Sequence, residues 1–207
     1  MKLESTNSFP SNIGLGSSSS GFAAAALALS TAANLDLSLE EISTIARRGS
    51  SSAARSVTGG FSILRSSEND LECKSYHIED GFNDDIRIIV AIVPAYKETE
   101  SAHAEATESH MFQARVKHAE SQIFNALDAI EIGDFDGIFS LAELDSISLA
   151  ATTMTGPKGW IYWKPETLSI FENIRTLREG GAEAYFSTDT GATVYINTRE
   201  KYVSQIS

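Results

Sequence analysis

Four serines, Ser17 to Ser20, run into an almost wholly apolar segment, Phe22-Ala-Ala-Ala-Ala-Leu-Ala-Leu29, and this junction constrains the fold more than any other stretch. Alanine and leucine are strong helix formers, and a helix that is apolar nearly all round has to be covered by other elements. Gly14 and Gly16 punctuate a loop just before it, so the helix begins near Ser17, and Asn34 is its stop. Such a start has a chemical consequence. The unpaired N–H groups of a helix start carry partial positive charge, and glycines let a phosphate come close to the backbone. Serine hydroxyls add donors and can reach a metal-bound phosphate oxygen. The stretch is neither a Walker A loop, which requires Gly-Lys-Ser/Thr, nor a Rossmann fingerprint. A flexible Gly/Ser connector is the plain alternative.

A second helix is expected from Ser38, with Glu41 completing a capping box, to Gly49, read as a C-terminal glycine behind Arg47 and Arg48. A serine turn and a short helical segment lead to Gly59-Gly60 and a strand at 61–64. Residues 66–85 read as a hairpin or meander, and Ile86 to Val93 is the clearest strand of the chain, ended by Pro94. One long helix is expected from Thr107 to Ile132, a further one after Asp134 through Leu144, a loop over 150–165, and a helix from Pro165 to Glu179. Strands at 184–187 and 193–197 flank the turn Thr188-Asp-Thr-Gly-Ala192. Helices and strands are interspersed without a βαβ rhythm, which makes the class α+β.

The 207 residues allow one large or two small domains. Lys and Arg number 16 against 28 Asp and Glu, a net charge of −12, so phosphate backbones and anionic lipids are repelled. Nucleic-acid and membrane partners are therefore not expected. No apolar run approaches the length of a membrane span, and no apolar core precedes Pro10 as a secretory signal requires. A single cysteine, Cys73, excludes an internal disulfide framework and fits a reducing cytoplasm.

Two more sets of residues carry chemistry. Ser50, Ser52, Arg55 and Ser56 combine hydroxyls with a guanidinium that can hold a carboxylate or phosphate bidentately. Asp189, between Thr188 and Gly191 in a tight turn, is placed as a general base requires, although an aspartate in a turn is more often structural. His103, His110 and His118 lack metal-ligand spacing, and Asp134-Phe-Asp136-Gly137 has the wrong offsets for a calcium loop and reads as a helix–helix turn. Trp160, Tyr162 and Trp163 read as packing residues under a loop.

Taken in order, Asn7 to Gly21, the run Ala46-Arg-Arg-Gly-Ser-Ser-Ser-Ala-Ala-Arg-Ser-Val-Thr-Gly-Gly-Phe61 and the turn Tyr185-Phe-Ser-Thr-Asp-Thr-Gly191 resemble the mevalonate diphosphate decarboxylase branch of the GHMP kinase superfamily. The wording is closest to the archaeal phosphomevalonate decarboxylases. The resemblance implies a GHMP-type two-domain architecture. A truncated ribosomal-protein-S5-like N-terminal ATP-binding domain would occupy 1–79, and a ferredoxin-like C-terminal α/β sandwich 80–207. It implies ATP and Mg²⁺, with Gly14, Gly16, Ser17 and Ser18 at the ATP phosphates and Ser18 reaching Mg²⁺ through phosphate. Ser50, Ser52, Arg55 and Gly191 would hold a phosphorylated mevalonate, with Arg55 near its carboxylate, and Asp189 would deprotonate the tertiary 3-hydroxyl.

The implied reaction is decarboxylation of 5-phosphomevalonate to isopentenyl phosphate in the cytoplasmic mevalonate pathway, by a homodimer in analogy with GHMP relatives. Two departures leave alternatives open. The family's N-terminal region, with its adenine contacts and a lysine, is absent, so the chain reads as truncated and as either an enzyme or a non-catalytic phosphate-binding fragment. The segment Tyr96-Lys-Glu-Thr-Glu-Ser101 replaces a family stretch that places a 5-diphosphate, which favours the monophosphate over the diphosphomevalonate substrate.

Overall fold

The computed structural model of the chain describes residues 2–9, 15–82, 84–95 and 99–207, with the backbone alone for 99–103. Gly14, expected at the phosphate loop, and residues 96–98 of the substituted segment lie outside the described residues. The described chain falls into two compact units, one of residues 2–9 and 15–79 and one of residues 80–207.

The first unit packs three helices against a short hairpin. Helix α1 (Ser17–Ala32) stops at Asn34, which takes the left-handed conformation at φ 51°. Helix α2 (Leu39–Gly49) begins as its sequence dictates: Ser38 Oγ accepts the Glu41 N–H at 3.2 Å and the Glu41 carboxylate accepts the Ser38 N–H at 2.8 Å. Helix α3 (Ala53–Thr58) follows, and Gly59 and Gly60, at φ 68° and 56°, turn the chain into β1 (Ser62–Leu64). Strand β2 (Ser75–His77) pairs antiparallel with β1, so among the described residues the polar 66–85 stretch holds a single strand behind a 3₁₀ turn. Ala26, Ile42, Ala46 and Ala53 form the core.

One expectation is corrected here. Helix α1 is not covered all round, since Ala23, Ala26 and Ser30 are buried while Phe22 and Leu27 each keep 46% of their surface. Among the described residues, packing against α2 and α3 occupies one face of the helix. Gly49 is the C-terminal glycine of α2 as read, but without the left-handed backbone that such a glycine usually takes. It is the last residue of α2, and a Cβ there would stand 2.2 Å from the Phe22 ring, so it is a glycine of close helix packing.

The second unit is built on a three-stranded antiparallel sheet in the order β3 (Ile86–Ala91), β5 (Val194–Arg199), β4 (Ala184–Ser187). Phe186 pairs with Ile196, and Ala91 with Val194, which puts one apolar row on a single face. Phe171 and Ile174 of α7 (Pro165–Glu179) close over that row, with the Phe171 and Phe186 rings stacked at 3.7 Å between centroids.

The long helix expected over 107–132 is two helices, α4 (Thr99–Glu108) and α5 (Phe112–Ile132). Ser109 breaks it, because its hydroxyl accepts the Met111 N–H at 3.1 Å and pairs with Thr155 at 2.7 Å. Helix α6 (Phe135–Met154), capped by Asp134, runs ten residues beyond the expected Leu144 and into the stretch read as loop. Its threonines do not disrupt it. Thr152 Oγ1 donates to the Ser148 carbonyl at 2.8 Å and Thr153 Oγ1 to the Ala150 carbonyl at 2.9 Å, and both residues are buried. The chain closes on α8 (Val203–Ile206).

Candidate functional site

In the first unit the sequence brings two of its three candidate sets together. Gly16 takes φ 65°, a left-handed position open to glycine, and turns the chain into α1 without a side-chain cap. The first turn of this 16-residue helix holds no acidic residue to offset its positive end. Ser20 turns inward, its N–H donating to the Gly16 carbonyl at 3.0 Å and its hydroxyl to the Ser17 carbonyl at 3.2 Å. Ser18 is exposed and Ser17 half-buried.

The hydroxyl that bridges to the second set is that of Ser19, which the sequence did not single out. Ser19 Oγ is hydrogen-bonded to Ser52 Oγ, and Ser52 Oγ lies 3.1 Å from Ser50 Oγ. A chain of three hydroxyls thus joins the helix start to the α2–α3 turn. Each keeps capacity for one further partner.

The arginines divide in function. Arg47 and Arg48 both reach Asp70, Arg48 at 2.5 Å, and their hydrogen bonds, that from Arg48 first, hold the Asp70 carboxyl below its ordinary range. Arg55, on α3, is exposed and its guanidinium has no carboxylate partner among the described residues. A helix end rich in N–H and O–H donors, like a guanidinium, has the chemistry to take an anion.

Asp189 and Gly191 belong to the second unit, in the turn between β4 and β5, and Asp189 is exposed. Ser146 of α6 accepts the Thr188 N–H at 3.0 Å, and Thr167 of α7 donates to the Ala192 carbonyl at 2.8 Å. The hydroxyls of Thr188 and Thr190, on either side of Asp189, are buried and have no hydrogen-bond partner among the described residues, as is true of the Tyr162 hydroxyl and Trp163 Nε1.

Burial pushes the Tyr162 phenol up to about 12, and the Asp189 charge acts in the same direction. Thr153 acts the other way, but its hydroxyl does not reach hydrogen-bond geometry with the phenol. Tyr195 is raised by burial and then by Asp189. The Tyr162 ring packs edge-on to Trp160 and Trp163, in line with the packing role read from sequence. Among the described residues no group of three or more His, Cys, Asp or Glu side chains is placed to hold a metal, and no helix is long and apolar enough to cross a membrane.

Residues 1–76 match the family model of the diphosphomevalonate decarboxylase-like N-terminal domain. Over all of its length the chain is 62% identical to a phosphomevalonate decarboxylase of Haloferax volcanii, and it spans 64% of that protein. The mevalonate diphosphate decarboxylase of Staphylococcus aureus superposes with a TM-score of 0.89 at 28% identity, over 95% of this chain and 61% of that one. The structure of MDDEF in complex with MVAPP, AMPPCP and magnesium gives 0.88 at 27% identity, over 96% and 62%.

Proposed function

Because the chain belongs to the mevalonate diphosphate decarboxylase branch of the GHMP kinase superfamily, we propose that it carries out the ATP-dependent decarboxylation of 5-phosphomevalonate to isopentenyl phosphate in isoprenoid synthesis. The observation that carries this reading is the hydroxyl bridge from the α1 start to Ser50 and Ser52, beside an Arg55 that no acid neutralises among the described residues. That donor set fits phosphate and carboxylate oxygens.

In this reading Gly14, Gly16, Ser17 and Ser18 receive the ATP phosphates, with the α1 N–H groups pointing at them. With ATP bound, Ser18 would serve Mg²⁺ through a phosphate oxygen. ATP with Mg²⁺ supplies the phosphoryl group that converts a tertiary hydroxyl into a leaving group. Ser50 and Ser52 hold the substrate, and Gly191 lets it approach the turn. Arg55 clamps the carboxylate, fixing the C–C bond that breaks so that its electron pair becomes the new alkene as phosphate departs. Asp189 orients the 3-hydroxyl and accepts its proton; the phenols of Tyr162 and Tyr195 stay protonated beside it and cannot compete for that role. The same proposal includes a homodimer and a cytoplasmic location.

The identity to the Haloferax protein favours the monophosphate, and the MVAPP complex of a structural relative favours the diphosphate as a second reading. Turnover of the intact protein with each compound separates them. Arg55→Met tests the site: removing a charge-assisted clamp worth about 1.5–3 kcal/mol should weaken substrate binding roughly 10- to 150-fold. Arg55→Lys should recover only part of it, because an ammonium cannot form the fork. Unchanged substrate affinity in Arg55→Met would remove the assignment.

A further inference from the structure

We propose that Ser146 and Thr167 are positioning residues for Asp189, one buried hydroxyl from α6 and one from α7 fixing the two ends of the turn that carries it. The proposal rests on the reading that Asp189 takes the substrate proton.

Each hydroxyl has one proton to give, and the contacts account for it. Ser146 Oγ donates to the Ala142 carbonyl of its own helix at 2.8 Å and accepts the Thr188 N–H at 3.0 Å, with the Thr188 carbonyl farther off at 3.3 Å. Thr167 Oγ1 donates to the Ala192 carbonyl at 2.8 Å and accepts the Lys164 N–H at 3.2 Å, the bond that closes the start of α7. Ser146 retains 4% of its surface and Thr167 none, so water does not compete at either end.

The hydroxyls of Thr188 and Thr190 are without partners among the described residues, and the β4–β5 ladder stops at the Ser187–Tyr195 pair. Next to that pair, Asn197 Nδ2 donates to Ser187 Oγ at 3.1 Å, which braces the strand and not the turn. Helices α6 and α7 also pack on the core of this unit and carry the Glu143–Arg178 pair, so the turn is tied to packed elements. A carboxylate acting as base tolerates little displacement; a misplacement of about 1 Å can cost on the order of a hundredfold in rate.

The test uses the intact protein. Thr167→Val keeps the shape of the side chain and removes the bond to Ala192; Thr167→Ser keeps the bond. The first should lower kcat by roughly 10- to 100-fold, with KM for ATP and for the phosphorylated mevalonate within about threefold, and the second should restore kcat to within about threefold. Ser146→Ala should lower kcat similarly and speed hydrogen exchange of the Thr188 amide, a readout that needs no turnover. Thr167→Val with wild-type kcat, or Thr167→Ser as slow as Thr167→Val, overturns the proposal; should Thr167→Val fail to fold, wild-type kcat in Ser146→Ala overturns it. Asp189→Asn run in parallel separates the two levels. Substantial turnover in that variant removes the role of Asp189 itself, whereas its loss together with a fully active Thr167→Val removes only the clamp.

Discussion

Arg178→Met should destabilise the second unit substantially. Glu143 lies on α6 with its side chain 11% exposed and takes two parallel hydrogen bonds from Arg178, at 3.0 and 3.1 Å, plus the Phe186 N–H at 3.3 Å. Arg178 also donates to the Ala184 carbonyl at 3.2 Å and stacks 4.3 Å from the centre of the Tyr185 ring. Those bonds, the one to Glu143 first, hold the guanidinium protonated still more firmly than usual.

Breaking a buried pair from one side costs about 3–5 kcal/mol, because the remaining charge stays buried. Arg178 keeps 28% of its side-chain surface, and the solvent there lowers the expectation to about 2–4 kcal/mol. Urea unfolding followed by circular dichroism should show that loss with an unchanged m-value, and Tm should fall by roughly 5–15 °C. The double variant Glu143→Leu/Arg178→Met should cost less than the sum of its parts by about 1–3 kcal/mol. A loss below about 1 kcal/mol for Arg178→Met, or strict additivity in the double variant, would show that the pair does not brace α6, α7 and β4 as argued.

Ser43→Ala should cost about 1–3 kcal/mol, since the Ser75 N–H, wholly buried, has Ser43 Oγ at 2.9 Å as its partner; chemical denaturation reads the difference. Tyr162→Phe should be neutral or stabilising in the same assay, because the hydroxyl it removes is buried without a partner among the described residues; a loss above about 1 kcal/mol would mean that the hydroxyl is satisfied in solution. Asp70 is held below its ordinary value of 3.8 by Arg48 and Arg47, so it stabilises the fold above that pH and the contribution disappears as the pH falls through its depressed value. Wild type and Asp70→Asn should therefore differ in unfolding free energy at neutral pH and converge in strong acid, and a difference that stays constant would contradict the assignment.

What the sequence made legible is local. The Ser38–Glu41 box, the Asp134 cap and the strands at 86–91 and 184–187 follow from side chains within three or four positions of one another, and the structure has them. The hydroxyls that could face an anion were legible as residue types at a helix start and in a serine turn. Their junction was not, because Ser19 and Ser52 are 33 residues apart and meet only when α1 packs on α2 at Gly49. Ser109 escaped notice for a related reason: it breaks a helix through a partner, Thr155, that lies 46 residues away. Ser146 and Thr167 carry no local signal at all. A serine or threonine inside a helix reads as neutral, and only the fold reveals that its hydroxyl reaches the Asp189 turn.

The central claim is that this chain removes CO₂ from a phosphorylated mevalonate with Asp189 as the base. The direct measurement supplies the intact protein with ATP, Mg²⁺ and carboxyl-labelled 5-phosphomevalonate and counts ADP and labelled CO₂ together. The account predicts one CO₂ per ADP in the wild type, and neither product from Asp189→Asn while that variant still binds ATP. ADP without CO₂ in the wild type, or substantial CO₂ from Asp189→Asn, would contradict it.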